Sequence, residues 1–488
     1  MGRWQCCLVV SCVLFVGCGA ATPELQLIED AAEAMGSLRA VSNSTGMIVE
    51  GQGRTYRLGQ NSRPSAELDY YEIENYQLQL DFANQRWQIR QDRTSTFATG
   101  NPLYGVRQTY GLDGEVAYDQ QGDQTVRASD RVAADRWNEM YHNPLGIVLL
   151  ALDETSTVSN LREEDGARVV DVVAANGTQF ELFVDGGTGL PTRVMSSTYH
   201  SILGDVAVET IFEDYAETGG LGGFQARLNM PRTYTTNLDE FTISQYRVTT
   251  DPHGELGDLS APAAAEAAAT VVSVETEEIT DGVWHLTGGS HHSVLIEFDE
   301  FLALVEAPQS EARTLAVIAQ ARELQPDKPL QYLVNTHHHF DHSAGVRAAV
   351  SEGLTVITHQ VNRSFYEDLV ARQHTIEPDA LARNPQPLTM ESMAGDDVYE
   401  LTSGRRTLAI SRIVGDPHSE SNVMAYLPRE RLLIEADAFS PRPDAPAPFA
   451  AALLETIEAQ ELRVNTILPI HGSVATLEDL ESAVETAP

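Results

Sequence analysis

Two patterns of apolar positions divide the chain. Between residues 24 and 255 the prevailing period is two. Tyr76, Leu78, Leu80 and Phe82 alternate with Gln77, Gln79 and Asp81, as in a strand with one buried face. Ala83-Asn84-Gln85 can turn the chain, and Trp87 and Ile89 resume the alternation. Phe180, Leu182 and Val184 repeat it ahead of the turn-rich Asp185-Gly186-Gly187-Thr188-Gly189. One helix is predicted at the start, from Glu24 to about Met35 with Gly36 as its stop. A second apolar stretch, Pro144 to Leu152, reads as a helix covering the sheet. Residues 256–270 are Ala-rich with a Pro, the composition of a linker.

From Val271 onward, strand and helix patterns alternate, which argues for layered sheets and helices. Val294 to Phe298, Phe301 to Val305, Tyr332 to Val334 and Thr355 to Thr358 read as strands. Ser310 caps a helix running to about Leu324, with Pro326 beyond it. Val423 to Leu427 and Leu432 to Glu435 form a hairpin joined by Pro428-Arg429-Glu430. The expected fold class is α+β in two domains. Residues 24–255 form an antiparallel β-rich domain and residues 271–488 a layered domain.

The order of the first region, a helix and then a long meander with a helical insert, resembles the half-barrel of lipoprotein carrier proteins. That resemblance implies a concave sheet able to hold apolar ligands. A sheet filled by its own side chains fits the same pattern.

Composition adds constraints. The chain has 488 residues and a formal net charge of −39, which repels phosphate backbones and argues against a nucleic-acid partner. The four cysteines are Cys6, Cys7, Cys12 and Cys18. A chain processed at Cys18 therefore has no disulfide pair and no thiolate cluster for a metal. Residues 1–18 read as a signal peptide: Arg3, an apolar run from Leu8 to Val16 too short to span a bilayer, and then Gly17-Cys18. The end of this run resembles a bacterial lipobox, with Phe15 where Leu is usual and Leu14 one place earlier. The resemblance implies acylation of Cys18 and a membrane-anchored protein of the cell envelope. With Gly19 rather than Asp after the cysteine, the same resemblance implies the outer membrane of a Gram-negative cell, on its periplasmic or surface side.

The strongest chemical signal is Asn335-Thr336-His337-His338-His339-Phe340-Asp341-His342, which follows a predicted buried strand. His-x-His-x-Asp-His packs imidazoles and one carboxylate into a turn that can point two His at one metal and Asp and His at another. Nitrogen and oxygen donors without thiolate suit zinc, with iron or manganese as alternatives. Here the chain resembles the metallo-β-lactamase superfamily, over residues 271–488. Gly415-Asp416-Pro417-His418-Ser419, Glu435-Ala436-Asp437-Ala438-Phe439 and Leu468-Pro469-Ile470-His471-Gly472 match the family's later motifs in order.

The resemblance implies an αββα sandwich and two zinc ions per chain. His337, His339 and His418 would hold one ion, Asp341, His342 and His471 the other, and Asp437 would bridge them. A metal-bridging hydroxide would attack an acyl carbon, with Asp341 orienting the nucleophile and handling its proton. Three further positions stand nearby. Glu306 ends a predicted strand where many members carry Asp, and is expected to accept a hydrogen bond from a ligand. His292 is a candidate substrate contact. His338 occupies an unmatched position of the motif and is left out of the ligand set.

The position of Asp437 holds Cys or Ser in most true β-lactamases, so the resemblance points toward other acyl substrates. The expected function is a zinc-dependent hydrolase of a small ester, lactone or related acyl compound. Two alternatives remain open. One is a lipid-binding envelope lipoprotein with a non-catalytic metallo-domain; the other is an iron-dependent, dioxygenase-like member.

Overall fold

The computed structural model describes residues 22–97, 104–217, 226–266, 272–441 and 447–486. The signal peptide and Cys18 lie outside the described residues, as do positions 267–270 of the linker. No helix among the described residues is long and apolar enough to cross a membrane.

The first region is a large antiparallel sheet of fourteen strands. One edge is Gln124–Arg127 and the other Thr157–Glu164. In the middle, the first strand, Gly46–Tyr56, pairs with the last, Glu240–Asp251, so both ends of the domain meet at its centre. The predicted alternation appears in Tyr70–Asp81 and Arg86–Ser95, joined by a turn in which Gln85 is left-handed. Both predicted helices are present, Pro23–Ala34 and Pro144–Leu152. The second is apolar on every side and almost wholly buried, as such a helix must be. Its first turn is capped by Asn143, which accepts from Gly146 N at 2.7 Å.

Neighbouring strands lie about 4.8 Å apart, so a flat sheet would hold Ala117 and Val172 roughly 40 Å or more from each other. Both belong to one continuous core with Leu27, Ile28, Leu145 and Val148 of the helices. The sheet therefore curls around its helices. The described part of the predicted linker lies against this sheet: Leu259 and Ala265 are buried, Gly257 N donates to Gln79 and Ala261 N to Asp113.

The second region contains a seven-stranded and a five-stranded sheet, each part antiparallel and part parallel. One core, containing Val294, Ala303, Val334, Ile410, Val423 and Ile434, joins the two sheets face to face. Helices Glu311–Leu324 and Val346–Ser351 cover the outer face of the larger sheet. Helices Ala450–Ala459 and Leu477–Thr486 cover the outer face of the smaller. Ser310 caps the first of these, accepting from Arg313 N at 3.2 Å.

The two regions are packed together. Ile202 joins the core of the second region, and Phe340 packs on Leu203, Val206 and Val208 of the first. The Asp205 carboxylate accepts from Thr375 N, Thr375 Oγ1 and Ile376 N at 2.5–3.0 Å. Arg372 donates to Asp239 at 2.7 Å and to Thr236 at 3.0 Å.

Candidate metal centre

The site lies where strands end. Leu330–Val334 runs out into Asn335–His339, and the short helix Phe340–Ser343 turns the chain back. Leu302–Val305 ends at Glu306, and Leu432–Glu435 ends just before Asp437. Glu306, Gln309 and Asp437 all have left-handed backbone, with φ of 72°, 67° and 62°. None is glycine, and such strain, of order 1–3 kcal/mol each, collects at functional sites.

Two groups of donor atoms form, each with its atoms within 4.8 Å of one another. One comprises His337, His339, His418 and Asp437; the other comprises His291, Asp341, His342 and His471. All seven residues expected as ligands are therefore brought together. The Asp437 carboxylate links the groups. Its Oδ2 is 3.4 Å from His337 Nε2, 2.9 Å from His418 Nε2 and 3.0 Å from His342 Nε2. Its Oδ1 is 2.8 Å from His471 Nε2.

Backbone and carboxylate acceptors place the ring protons. His339 Nε2 donates to the Asn61 carbonyl at 2.9 Å, which leaves its Nδ1 free. His471 Nδ1 donates to Ser290 O at 3.2 Å, leaving Nε2 for the site. His342 Nδ1 donates to Glu306 Oε2 at 2.6 Å. The other Glu306 oxygen accepts from Thr336 N at 2.6 Å and Asn335 Nδ2 at 3.0 Å. Glu306 is fully buried and has the acceptor role expected of it.

Burial drives the His337 imidazole down to about 3 and that of His339 well below its ordinary range. These rings are neutral at physiological pH, the form in which imidazole binds metal. Burial opposes a proton on His342 too, but Asp437 and Glu306 outweigh it and raise that pKa well above the usual value. Burial also works against charge on Asp341 and Asp437, and the surrounding histidines overcome it, holding both carboxylates below the usual range.

The fit to a metal rests on buried ring nitrogens that turn toward one another and toward Asp437. His337 Nε2, His339 Nδ1 and His418 Nε2 are buried and make no hydrogen bond. A buried polar atom left unpaired is costly, and three imidazole nitrogens converging on one carboxylate suit a divalent cation. The residues present therefore fit the metal pair.

One expectation changes. His292 does not face the site: its Nε2 donates to Gly472 O at 3.1 Å and its ring packs on His285, so it braces the loop that carries His471. Its neighbour His291 faces inward, 3.3 Å from Asp341 Oδ2 and edge-on to His471. The sequence signal was the His pair itself, and alternation along the chain lets only one of two neighbours face the pocket. His338 points away from both groups, toward Asn61 Oδ1 at 3.4 Å.

A further contribution was invisible in the sequence. Gln60, in the first region, donates from Nε2 to Asp341 Oδ1 at 2.7 Å.

Residues 286–483 match the family model of the metallo-beta-lactamase superfamily, so the C-terminal half carries a domain of that superfamily. Solved structures similar to it include a metallo-beta-lactamase from Pontibacter korlensis, 17% identical over 44% of this chain and 100% of its own, with a TM-score of 0.35. A mono-zinc metallo-beta-lactamase from Pseudomonas aeruginosa is 20% identical over 44% and 94%, with a TM-score of 0.35. One from Hirschia baltica is 21% identical over 44% and 98%, with a TM-score of 0.33. No curated protein sequence matches the chain.

Proposed function

We propose that this protein is a zinc-dependent hydrolase of a small ester, lactone or related acyl substrate, anchored in the cell envelope through an acylated Cys18. The observation that carries the reading is one carboxylate, Asp437, within 3.4 Å of imidazole nitrogens of both groups, with the buried Nδ1 of His339 unpaired in the same cluster. His337, His339 and His418 would hold one ion, Asp341, His342 and His471 the other, with Asp437 shared. Bound there, divalent ions supply water activation near neutral pH and polarisation of the scissile acyl group.

The chain's own residues do the rest. Among the carboxylates of the two groups, Asp341 is the more open, its side chain 43% exposed against 12% for Asp437. It is placed to orient the attacking nucleophile and take its proton, with His291 beside it as the next base. Glu306 keeps the His342 proton on the far nitrogen. The buried rings of His337 and His339 exclude water from the other side.

The test is turnover by the zinc-loaded chain beginning after Cys18, on esters, lactones, thioesters and β-lactams, with Asp341→Ala as control. Hydrolysis lost in the control is the expected result. Two metal ions per chain with no turnover on any member of the panel would count against the hydrolase reading. Oxygen consumption with bound iron would favour a dioxygenase instead. The anchor is tested separately: Cys18→Ala should leave the membrane fraction, and wild-type chain that takes up no labelled palmitate would rule the lipid out.

A further inference from the structure

Strands Gly46–Tyr56 and Tyr70–Asp81 are paired neighbours, and their register runs to Tyr56 opposite Tyr70. A hairpin needs only two to five residues to join such a pair. Residues 57–69 are therefore an excursion that the sheet does not require, and its inner end enters the candidate metal centre.

The loop is seated by shape and by hydrogen bonds. Gly59 is left-handed, φ +63°, and its carbonyl accepts from Phe340 N at 3.1 Å. A Cβ at Gly59 would fall 2.0–2.3 Å from the Phe340 ring, so only glycine lets the two backbones meet. Asn61 is buried, and its Nδ2 donates to Arg63 O at 2.7 Å and Ala66 O at 3.0 Å, which closes the loop on itself. Ser62 O accepts from Glu420 N at 2.8 Å, two residues past His418.

Each contact at the tip has a direction. A carbonyl only accepts, so the Asn61 carbonyl holds the His339 hydrogen on Nε2 and the lone pair on Nδ1, the atom that faces the first group. The Gln60 carboxamide is oriented by Arg57, which donates to its oxygen at 3.0 Å. Its nitrogen therefore points at Asp341 Oδ1. This leaves Asp341 Oδ2, the oxygen nearer His291, for the second group.

We propose that the N-terminal sheet is a working part of the metal centre: its 57–69 loop sets the His339 tautomer through Asn61 and the Asp341 carboxylate through Gln60, and so tunes metal affinity in both groups. Gln60 and Asn61 are positioning residues, acting through ligands. The inference rests on the reading that these groups hold metal ions.

The experiment uses the chain beginning after Cys18, stripped of metal and titrated with zinc against a chelating dye, then with cobalt to record the visible spectrum. Gln60→Leu keeps the bulk and removes the donor. It should weaken one of two metal equivalents by about 10–100-fold and shift the cobalt bands, with unchanged circular dichroism. Gly59→Val should lift the loop off Phe340 and weaken both equivalents. If Gly59→Val does not fold, Gln60→Leu decides alone. Wild-type chain binding two ions, with Gln60→Leu identical in affinity and spectrum, overturns the role of the loop and leaves the metal reading standing. Wild-type chain that binds no metal overturns both.

Discussion

The two regions of this protein place their residues in the site by different means. In the C-terminal domain the donors come from strand ends and the turns after them: His337, His339, Asp341 and His342 within six residues, Asp437 just past Glu435, His471 just past Pro469. Each is held by its own sheet. In the N-terminal domain none of the described residues belongs to either donor group, yet the tip of one long loop reaches Asp341 across 281 positions of sequence. The first arrangement is built within one domain. The second exists only while the domains stay docked, because Gln60 and Asn61 have no other route to the site. The difference separates chemistry that a fold carries from chemistry that an interface completes.

Three experiments sharpen or break that contrast. The largest effect is expected at the shared carboxylate. Asp437→Ala should lose metal occupancy and activity together, beyond the 10–100-fold usual for residues that only touch a ligand. Its N-terminal domain should melt as before. Full activity in metal-replete Asp437→Ala would remove the bridging assignment.

A smaller effect is expected from loosening the interface at a distance. Asp205→Ala removes the acceptor for Thr375 N, Thr375 Oγ1 and Ile376 N. These hydrogen bonds are exposed, so each contributes about 0.5–1.5 kcal/mol net, and the melting temperature should fall modestly. Zinc affinity should fall too, by less than in Gln60→Leu. An affinity indistinguishable from wild type would show that the loop holds its place without this contact.

The third experiment concerns acid. His200 and His374 lie at the interface, against Phe340 and Tyr199. Burial lowers both to about 4; Arg372 adds to this for each, and Arg347 for His374, while Asp135 opposes it at His200 and Asp379 and Asp205 at His374. With an ordinary value of about 6.5, the unfolded chain binds more protons than the folded one between these limits. Stability of the metal-free chain should therefore decline as pH falls from 6.5 to 4, by at most about 1.4 kcal/mol per pH unit for each ring. His374→Gln should flatten the decline in melts taken at pH 7, 5.5 and 4.5. An unchanged slope would place the titrating groups elsewhere.

Most of the C-terminal architecture was legible. The helix after Ser310 and the strands Val423–Leu427 and Leu432–Glu435 fall where capping and apolar runs put them. So does the apolar helix Pro144–Leu152 in the other domain. Glu306 was legible as an acceptor through the resemblance, since many members of that family carry Asp at the same strand end. The choice between His291 and His292 was not, since two adjacent histidines carry the same chemistry and only the backbone direction tells them apart.

The sequence by itself determined the donors of the His-x-His-x-Asp-His turn, because metal chemistry demands particular residue types at short spacing; His418, Asp437 and His471 followed only from the resemblance to a family. It determined the alternating character of the first region for the same local reason, a period of two against one buried face. Only the tertiary structure decided that the first sheet curls round its helices, that His291 and not His292 joins the second group, and that Gln60 and Asn61 reach the site. A glutamine and an asparagine in a loop look like any solvated turn. What they do depends on which carbonyl and which carboxylate folding brings within 3 Å of them, and no local pattern encodes that distance.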